Sequence, residues 1–582
     1  MFYRVALAAL VLSGCKQSVP GNTRIERVAV LRFENLSGNL AEDWQGRALS
    51  EQLGRRFAGA GFPKVASAVP GVSSERLTAL TAGATRLITG YYTGAGNTLN
   101  VTAFSEDAQT QLLTGPIRAA GSLTTVVQTI AQQLNATAVT AGPKTATALK
   151  EYALASDSAG SLALAHYDLS LQSDPTFAPA YLGLVRAAKE VKDVPRAQLA
   201  LSEAMNHAGS FNAEDRAALQ LESANLSQNP QARVEALRAV LAIDAQNVQV
   251  LQELANAEMS ARQPGPAAKH YRQLAARVPG DSNVRNLLTY ASLYAGDESG
   301  ARAAAVEYKR LLPQDPNGFD TEGDVALAFG HFAEAEKAYL SSPEPRFQNY
   351  SPSWKAARAR LMSGDTAGAT ALFEKHRALL AALNPSAAAY RGAEWFSLTG
   401  HPAEAMDAMS RFAAQAVSLE WKSAGYTQAA IWALLAHDNA RALKWSDLAL
   451  HPAINTTFVT AAIARFLAQP PASPAEWKAR AELNFKGASA AGVRNLALGY
   501  ALLLSKASPQ AAVVWKHIYE TTAVSDAAPP YLYGWALLET GHGADAAPLL
   551  RLNPIPASVI APSFEALYIP ALFEWRKSSL RQ

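Results

Sequence analysis

A chain of 582 residues is too long for one hydrophobic core, so it holds several domains or one long repeat array. With 49% apolar and 17% charged residues it has the composition of folded protein, not of a disordered chain. A net charge of +3, with no run of five Lys or Arg, gives no footprint for nucleic acid, and a single cysteine, Cys15, excludes a disulfide framework and a cysteine-based zinc site.

The chain opens MFYRVALAALVLSGC. Arg4 supplies a positive start, and Val5 to Leu12 is an apolar stretch too short to cross a bilayer as a helix. Ser13 and Gly14 are small, as a cleavage site requires. Leu12-Ser13-Gly14-Cys15 resembles the lipobox of bacterial lipoproteins. That resemblance implies a signal peptide over 1–14, lipidation of Cys15, and a polar tether over 15–23. Lys16, rather than Asp, follows the cysteine, which by the sorting rule of such lipoproteins implies the periplasmic face of the outer membrane. The competing reading is a plain secretory signal, or a short uncleaved anchor, with an incidental cysteine. No run of 18 apolar residues follows, so no second membrane span is expected.

Residues 24–137 read as a small α/β domain. Val28 to Phe33 is strand-like, Glu34 to Gly38 is a turn, and Leu40 to Ala58 repeats Trp44, Ala48, Leu49, Leu53 and Phe57 near helical spacing. Lys64 to Val69 suggests a second strand and Ser73 to Leu80 a short helix. A hairpin follows: Thr85–Thr93, the turn Gly94-Ala95-Gly96-Asn97, then Leu99–Phe104. Gln109–Ala119 predicts a third adjacent strand, and Leu123–Leu134 an amphipathic helix presenting Val126, Val127, Ile130 and Leu134. VAVLRFENLSG and GATRLITGYYTGAGNTLNVTAFSEDAQT resemble the N-terminal α/β domain of TolB-type proteins, with FlgO-like lipoproteins as a related case. The chain departs from that pattern at Arg32, where the family carries Pro, and at Gln45-Gly46, where it carries Asp-Gly. Gly94-Ala95-Gly96 joins two strands and lacks a third glycine, so it is a hairpin turn and not a dinucleotide fingerprint.

From residue 144 to 556 the chain keeps a ruler. Gly296, Gly330, Gly364 and Gly400 are each followed five residues later by alanine, at Ala301, Ala335, Ala369 and Ala405. The intervals are 34, 34 and 36 residues, and the alanines continue backwards to Ala267, Ala232, Ala197 and Ala163. That period is the signature of the tetratricopeptide helix pair, and LQSDPTFAPAYLGL around Pro175 resembles its junction. The glycine turns the chain and the alanine lets two helices approach. One turn on, a large side chain fills the groove: Tyr167, Leu201, Tyr271, Tyr339, Phe373 and Met409. Pro175, Pro279 and Pro313 end second helices. Beyond Ala405 the register loosens, Pro470-Pro471 and Pro474 mark an irregular stretch within 451–490, and Gly541 and Ala546 restore the step. The segment holds about 12 units at the tetratricopeptide period of roughly 34 residues, and 557–582 is expected to be a C-terminal capping helix. The expected fold class is mainly α: a tetratricopeptide α-solenoid, wound as a superhelix, preceded by a small α/β domain.

In such arrays the first helix of each pair lines a groove. The groove-facing places hold Arg186 and Lys189; Gln249, Gln252 and Asn256; Asn283, Asn286 and Tyr290; and Asn317, Asp320 and Asp324. Amide side chains can pair with the backbone of an extended peptide, so these residues are the candidate partner-binding site. The alternative is that they form plain solvated helix faces. No catalytic constellation stands out. Gly142-Pro143-Lys144-Thr145 lacks a phosphate loop's leading glycine, and there is no His-Glu-x-x-His. Gly487 to Ala491 ends in Ala where a nucleophile elbow needs Gly, and His331, His401 and His542 each follow a repeat glycine at an exposed turn. The expectation is a non-catalytic scaffold that takes no cofactor or metal and binds protein or peptide partners through the groove, with the membrane engaged by the lipid at Cys15. The alternative is a periplasmic sensory or regulatory subunit whose TolB-like domain binds a small ligand.

Overall fold

The computed structural model of the chain describes residues 26–59, 74–95, 98–136, 142–227, 229–342, 352–451, 453, 457–487, 490–522, 528–552 and 563–564. The signal peptide, Cys15, the tether, the strand expected over Lys64–Val69 and all but two residues of the capping segment lie outside these. The chain divides into two compact units, Met1–Val250 and Leu251–Gln582.

The first unit opens with the α/β domain. β1 (Val28–Val30) and β2 (Glu34–Asn35) both run parallel to β3 (Arg86–Ala95), which pairs antiparallel with β4 (Thr98–Asp107), and β4 with β5 (Leu113–Gly121). Parallel neighbours need a crossover, and the link from β1 to β3 carries α1 (Trp44–Gly59) and α2 (Glu75–Thr81). α3 (Leu123–Gln133) follows β5. Side chains alternate along a strand. Val28 and Val30 therefore face α1 and α3 in a core with Leu49, Leu53, Phe57, Val126, Val127 and Ile130, while Ala29 faces Ala79 beneath α2 on the other side. β5 starts at Leu113, later than the expected Gln109, because the Asp107 carboxylate accepts the N–H groups of Gln109 and Thr110 and folds a turn that puts Gln111 at a φ of 58°. Glu34-Asn35, expected as a turn, first pairs with β3, and then Asn35 accepts the Ser37 N–H to turn the chain.

The repeat region is an α-solenoid of the tetratricopeptide type, built from twelve helix pairs among the described residues. They are α4 (Ala146–Ser156) with α5 (Gly160–Ser173), α6 (Ala178–Glu190) with α7 (Val194–Asn206), α8 (Ala213–Ser227) with α9 (Pro230–Ile243), and α10 (Val248–Ser260) with α11 (Pro264–Arg277). Then come α12 (Ser282–Tyr294) with α13 (Glu298–Leu311), α14 (Pro316–Ala328) with α15 (Phe332–Leu340), α16 (Pro352–Met362) with α17 (Thr366–Leu383), and α18 (Pro385–Leu398) with α19 (Pro402–Gln415). The last are α20 (Leu419–Leu435) with α21 (Asn439–Ala449), α22 (Phe458–Leu467) with α23 (Trp477–Asn484), α24 (Ala491–Leu504) with α25 (Ser508–Thr521), and α26 (Ala528–Glu539) with α27 (Gly543–Leu552).

One turn recurs between the two helices of a pair. Its left-handed residue is Gly296, Gly330, Gly364, Gly400 or Gly541, but equally Lys192, Arg262, His437 or Lys506, with φ between 55° and 97°. The residue after it returns its N–H to the carbonyl five positions back, as in Asp193 to Ala188, Asp297 to Ser292, Asp438 to Ala433 and Ala507 to Leu502. This is a Schellman closure, which satisfies carbonyls that the helix end leaves open. Five residues beyond each turn stands an alanine with no exposed surface: Ala197, Ala267, Ala301, Ala335, Ala369, Ala405, Ala442, Ala511 and Ala546. The register thus continues through the region where it was expected to loosen. A glycine ruler misses it there because His437 and Lys506 adopt the turn conformation that glycine takes without strain. The pattern changes at three pairs: at α4–α5, where Gly160 takes the left-handed φ only three residues before the buried Ala163; at α8–α9, where Ala232 of the expected series is half-buried; and at α22–α23, where the indole of Trp477 is buried after the Pro470-Pro471 connection. The groove-filling side chains also land as expected. Tyr339 lies so close to α14 that a Cβ on Gly323 would sit 2.2 Å from its ring.

The α/β domain is fastened to the array within the first unit by arginines. Arg27 Nε donates to Asp244 at 2.8 Å with both side chains buried. Arg32 and Arg47 both reach Asp157, at 3.0 and 2.9 Å. Arg55 pairs with Asp215 at 3.3 Å and lies over the Phe177 ring.

Two stability outcomes follow from these contacts. No atom lies within 4 Å of a Cβ built on Gly400, so Gly400→Ala isolates backbone strain at a φ of 85°; it should cost about 1 kcal/mol in urea denaturation. Lys506→Gly, at the exposed equivalent turn, should be neutral or mildly stabilising. The other Asp244 carboxylate oxygen has no hydrogen-bond partner. Arg27→Ala therefore strands a buried carboxylate and should cost about 3–5 kcal/mol in the first unit, read by the same measurement.

Candidate functional site

Counted back from each turn, the groove-facing residues fall at fixed offsets, and the structure places each of them. In the first unit Arg186 and Lys189 on α6 both reach Glu222 on α8, at 3.1 and 2.7 Å, and hold its carboxyl below the usual range against the opposing effect of burial. Gln249 donates to the carbonyl of Thr81 in the α/β domain at 2.6 Å, so it holds the fold together. In the second unit Gln252 is half-buried and Asn283 is exposed. Asn256 accepts from the Tyr271 hydroxyl at 2.5 Å, Asn286 accepts from Thr321 at 3.2 Å, and Asn317 donates to the Tyr308 hydroxyl at 2.8 Å.

Tyr290, Asp320 and Asp324 are brought together, and not on an open helix face. Lys355 of α16, which the sequence reading missed, places its ammonium 2.6 Å from Asp320 and 3.0 Å from Asp324. Asp324 also accepts from the hydroxyls of Tyr290, at 3.0 Å, and Tyr339, at 2.7 Å. Side-chain exposure is 8% for Asp320 and 10% for Asp324, so the network is shielded from water. Two carboxylates share one ammonium there. Burial first, and then the Asp324 charge, push Asp320 up to about 7 against the pull of Lys355. Burial would lower Lys355, but the two carboxylates outweigh it and leave it raised.

The same offsets carried two turns further reach Arg358 and Glu394, six residues before Gly364 and Gly400. Burial, and then the nearby Arg391, lower Arg358 to about 10. Arg391 donates to Glu394 at 2.5 Å, and its guanidinium lies 4.9 Å from the centre of the Trp354 ring. His376 also stacks on Trp354, with centroids 5.6 Å apart, and is pushed down to about 4 by burial and then by Arg391. The stripe therefore changes sign along the array: acidic on α14, basic on α16, mixed on α18. Farther along, Arg262 at the α10–α11 turn lies 3.9 Å over the Tyr519 ring of α25. Among the described residues no three His, Cys, Asp or Glu side chains are placed to hold a metal, and no helix is long and apolar enough to cross a membrane.

No family model matches the chain, and no curated protein matches it. Among solved structures the chain shows partial likeness to several. The crystal structure of PilW, a type IV pilus biogenesis factor, is 17% identical with a TM-score of 0.24 over 31% of this chain and 82% of that one. Pseudomonas aeruginosa pilF is 19% identical with a TM-score of 0.24, over 36% and 93%. A tetratricopeptide repeat protein from Parabacteroides merdae is 11% identical with a TM-score of 0.29, over 50% and 98%. At these values the fold assignment rests on the chain's own helix pairs, turns and buried alanines.

The raised Asp320 value has a definite sign. Its folded value lies above the unfolded one, so the folded chain holds the extra proton. The stability it contributes is present below about pH 4 and is lost as pH rises toward 7. Asp320→Asn should remove this loss, so the gap in urea midpoint between wild type and variant should widen in the variant's favour from pH 5 to pH 7. His376 acts in the opposite sense in both proteins and cancels in the comparison. A gap that does not change with pH contradicts the assignment.

Proposed function

We propose that the chain is a non-catalytic scaffold of the cell envelope that binds protein partners along the polar stripe of its first helices. It would be held at the periplasmic face of the outer membrane by lipid on Cys15. The observation that carries this reading is the investment of charge on the stripe. Asp320, Asp324, Lys355, Arg358, Arg391 and Glu394 follow one another over three consecutive first helices. Ordered charges of alternating sign beneath the stripe set the potential that its exposed positions, Asn283 among them, present to a partner. The lipobox-like Leu12-Ser13-Gly14-Cys15 supports the anchor, and the strand order of the N-terminal sheet supports a TolB-like domain as the membrane-proximal module.

Two measurements test it. Cys15→Ser should move the protein from the membrane fraction to the soluble fraction and change its gel mobility; retention with unchanged mobility removes the anchor. In crosslinking and affinity capture from native envelopes, Asn283→Arg, at an exposed stripe position, should cut capture of the specific partner while leaving the fold intact by circular dichroism. Unchanged capture removes the stripe as the binding surface, and a small molecule that co-purifies with the α/β domain favours a sensory role instead.

A further inference from the structure

Two residues from near the C-terminus, Ser563 and Phe564, lie among the first helices of the second unit. Gln428 of α20 is almost completely buried, yet its side-chain amide makes no bond within its own helix. Its Oε1 accepts the Ser563 N–H at 2.9 Å and its Nε2 donates to the Ser563 carbonyl at 3.4 Å. The Tyr390 hydroxyl of α18 also donates to Oε1, at 3.3 Å, and fixes which way the amide faces. An amide that takes both the N–H and the C=O of one residue reads backbone and ignores the side chain.

The next residue is read by shape. The Phe564 ring stacks on Tyr500 of α24, with centroids 4.2 Å apart and planes 27° from parallel, and is only 4% exposed. Tyr500 also meets Trp515 edge-to-face, with ring centroids 5.0 Å apart. Gln428 stands nine residues before the turn residue His437, as Lys355 stands before Gly364 and Arg391 before Gly400. The site therefore belongs to the same stripe.

We propose that Gln428 and Tyr500 form the peptide-reading subsite of the array, that Ser563-Phe564 is its resident occupant, and that it takes from a partner a peptide segment with an aromatic residue directly after the backbone-paired one. This rests on the scaffold reading above and names the chemistry of its partner. The resident segment is covalently tethered, so it competes at high effective concentration. A partner gains the subsite only when it adds contacts along the charged stripe or when the resident is displaced.

The test uses the full chain and a fluorescent peptide of sequence Ala-Pro-Ser-Phe-Glu-Ala, copying residues 561–566. Wild type should bind it weakly. Phe564→Ala should bind it about tenfold or more tightly, because the tethered competitor is gone. Adding Gln428→Ala should reverse the gain, and a peptide with Ala in place of Phe should not bind. Uptake no tighter in Phe564→Ala than in wild type, or unaffected by Gln428→Ala, overturns the proposal. Should Phe564→Ala lose helical signal, hydrogen exchange of Gln428→Ala decides instead. The Ser563 amide should lose protection while α20 keeps its own, and unchanged Ser563 protection overturns the proposal. Failure of the peptide with partner capture still dependent on Asn283 removes the subsite alone; loss of that dependence removes the scaffold reading.

Discussion

The close contact of two helices at a buried alanine, set five residues after a left-handed turn, is the constraint on which the rest of the array depends. The turn fixes where the second helix starts, and the alanine fixes how near it can come. A larger side chain at that crossing must push the helices apart or leave its rotamer, which in a packed interior costs on the order of 1–3 kcal/mol. With spacing and phase set in this way, every residue at a given offset from the turn points in a predictable direction. Lys192, Arg262, His437 and Lys506 show how strong the requirement is: the chain accepts a strained backbone there and still closes the turn.

The stripe follows from that geometry. Offsets of six, nine and ten residues before the turn include the side of the first helix that meets the first helices of neighbouring pairs, as Tyr290 meets Asp324 and Lys355 meets Asp320. In the middle of the second unit these positions hold acidic and basic groups that neutralise one another between neighbouring pairs, Lys355 against Asp320 and Asp324 being the closest example. Buried ion pairs add little net stability when weighed against their desolvation. They hold a fixed charge pattern in a place that water does not fully screen. The same stripe ends at Gln428, where the charge gives way to an amide that meets backbone.

Much of the fold was legible because the residues that set it are ones whose backbone demands are strict. Gly296, Gly330, Gly364 and Gly400 with their alanines give the period, and the alternation in Val28–Val30 and in Thr98–Asp107 gives the sheet. Illegible were the turns at His437 and Lys506, since nothing in a histidine or a lysine announces a positive φ. The candidate site was half legible. Its offsets were readable, but the reading stopped at Asp324, one repeat short of Lys355 and Arg358. It also placed Asp320 among the partner-binding groove residues, and in the structure its charge is met by a side chain from the next pair. The contact of Gln428 with Ser563, 135 residues apart, has no sequence signal at all.

Ala335 gives the most direct test, because it joins the packing constraint to the charged stripe. It stands with no exposed surface at the α14–α15 crossing, next to the helix that carries Asp320 and Asp324. Hydrogen exchange on the full chain with Ala335→Leu should show protection lost in α14 and α15 and, through Lys355, in α16, with the sheet of the first unit unaffected. Protection unchanged in all three helices would contradict the claim that the small residue at the crossing sets the array and everything arranged on it.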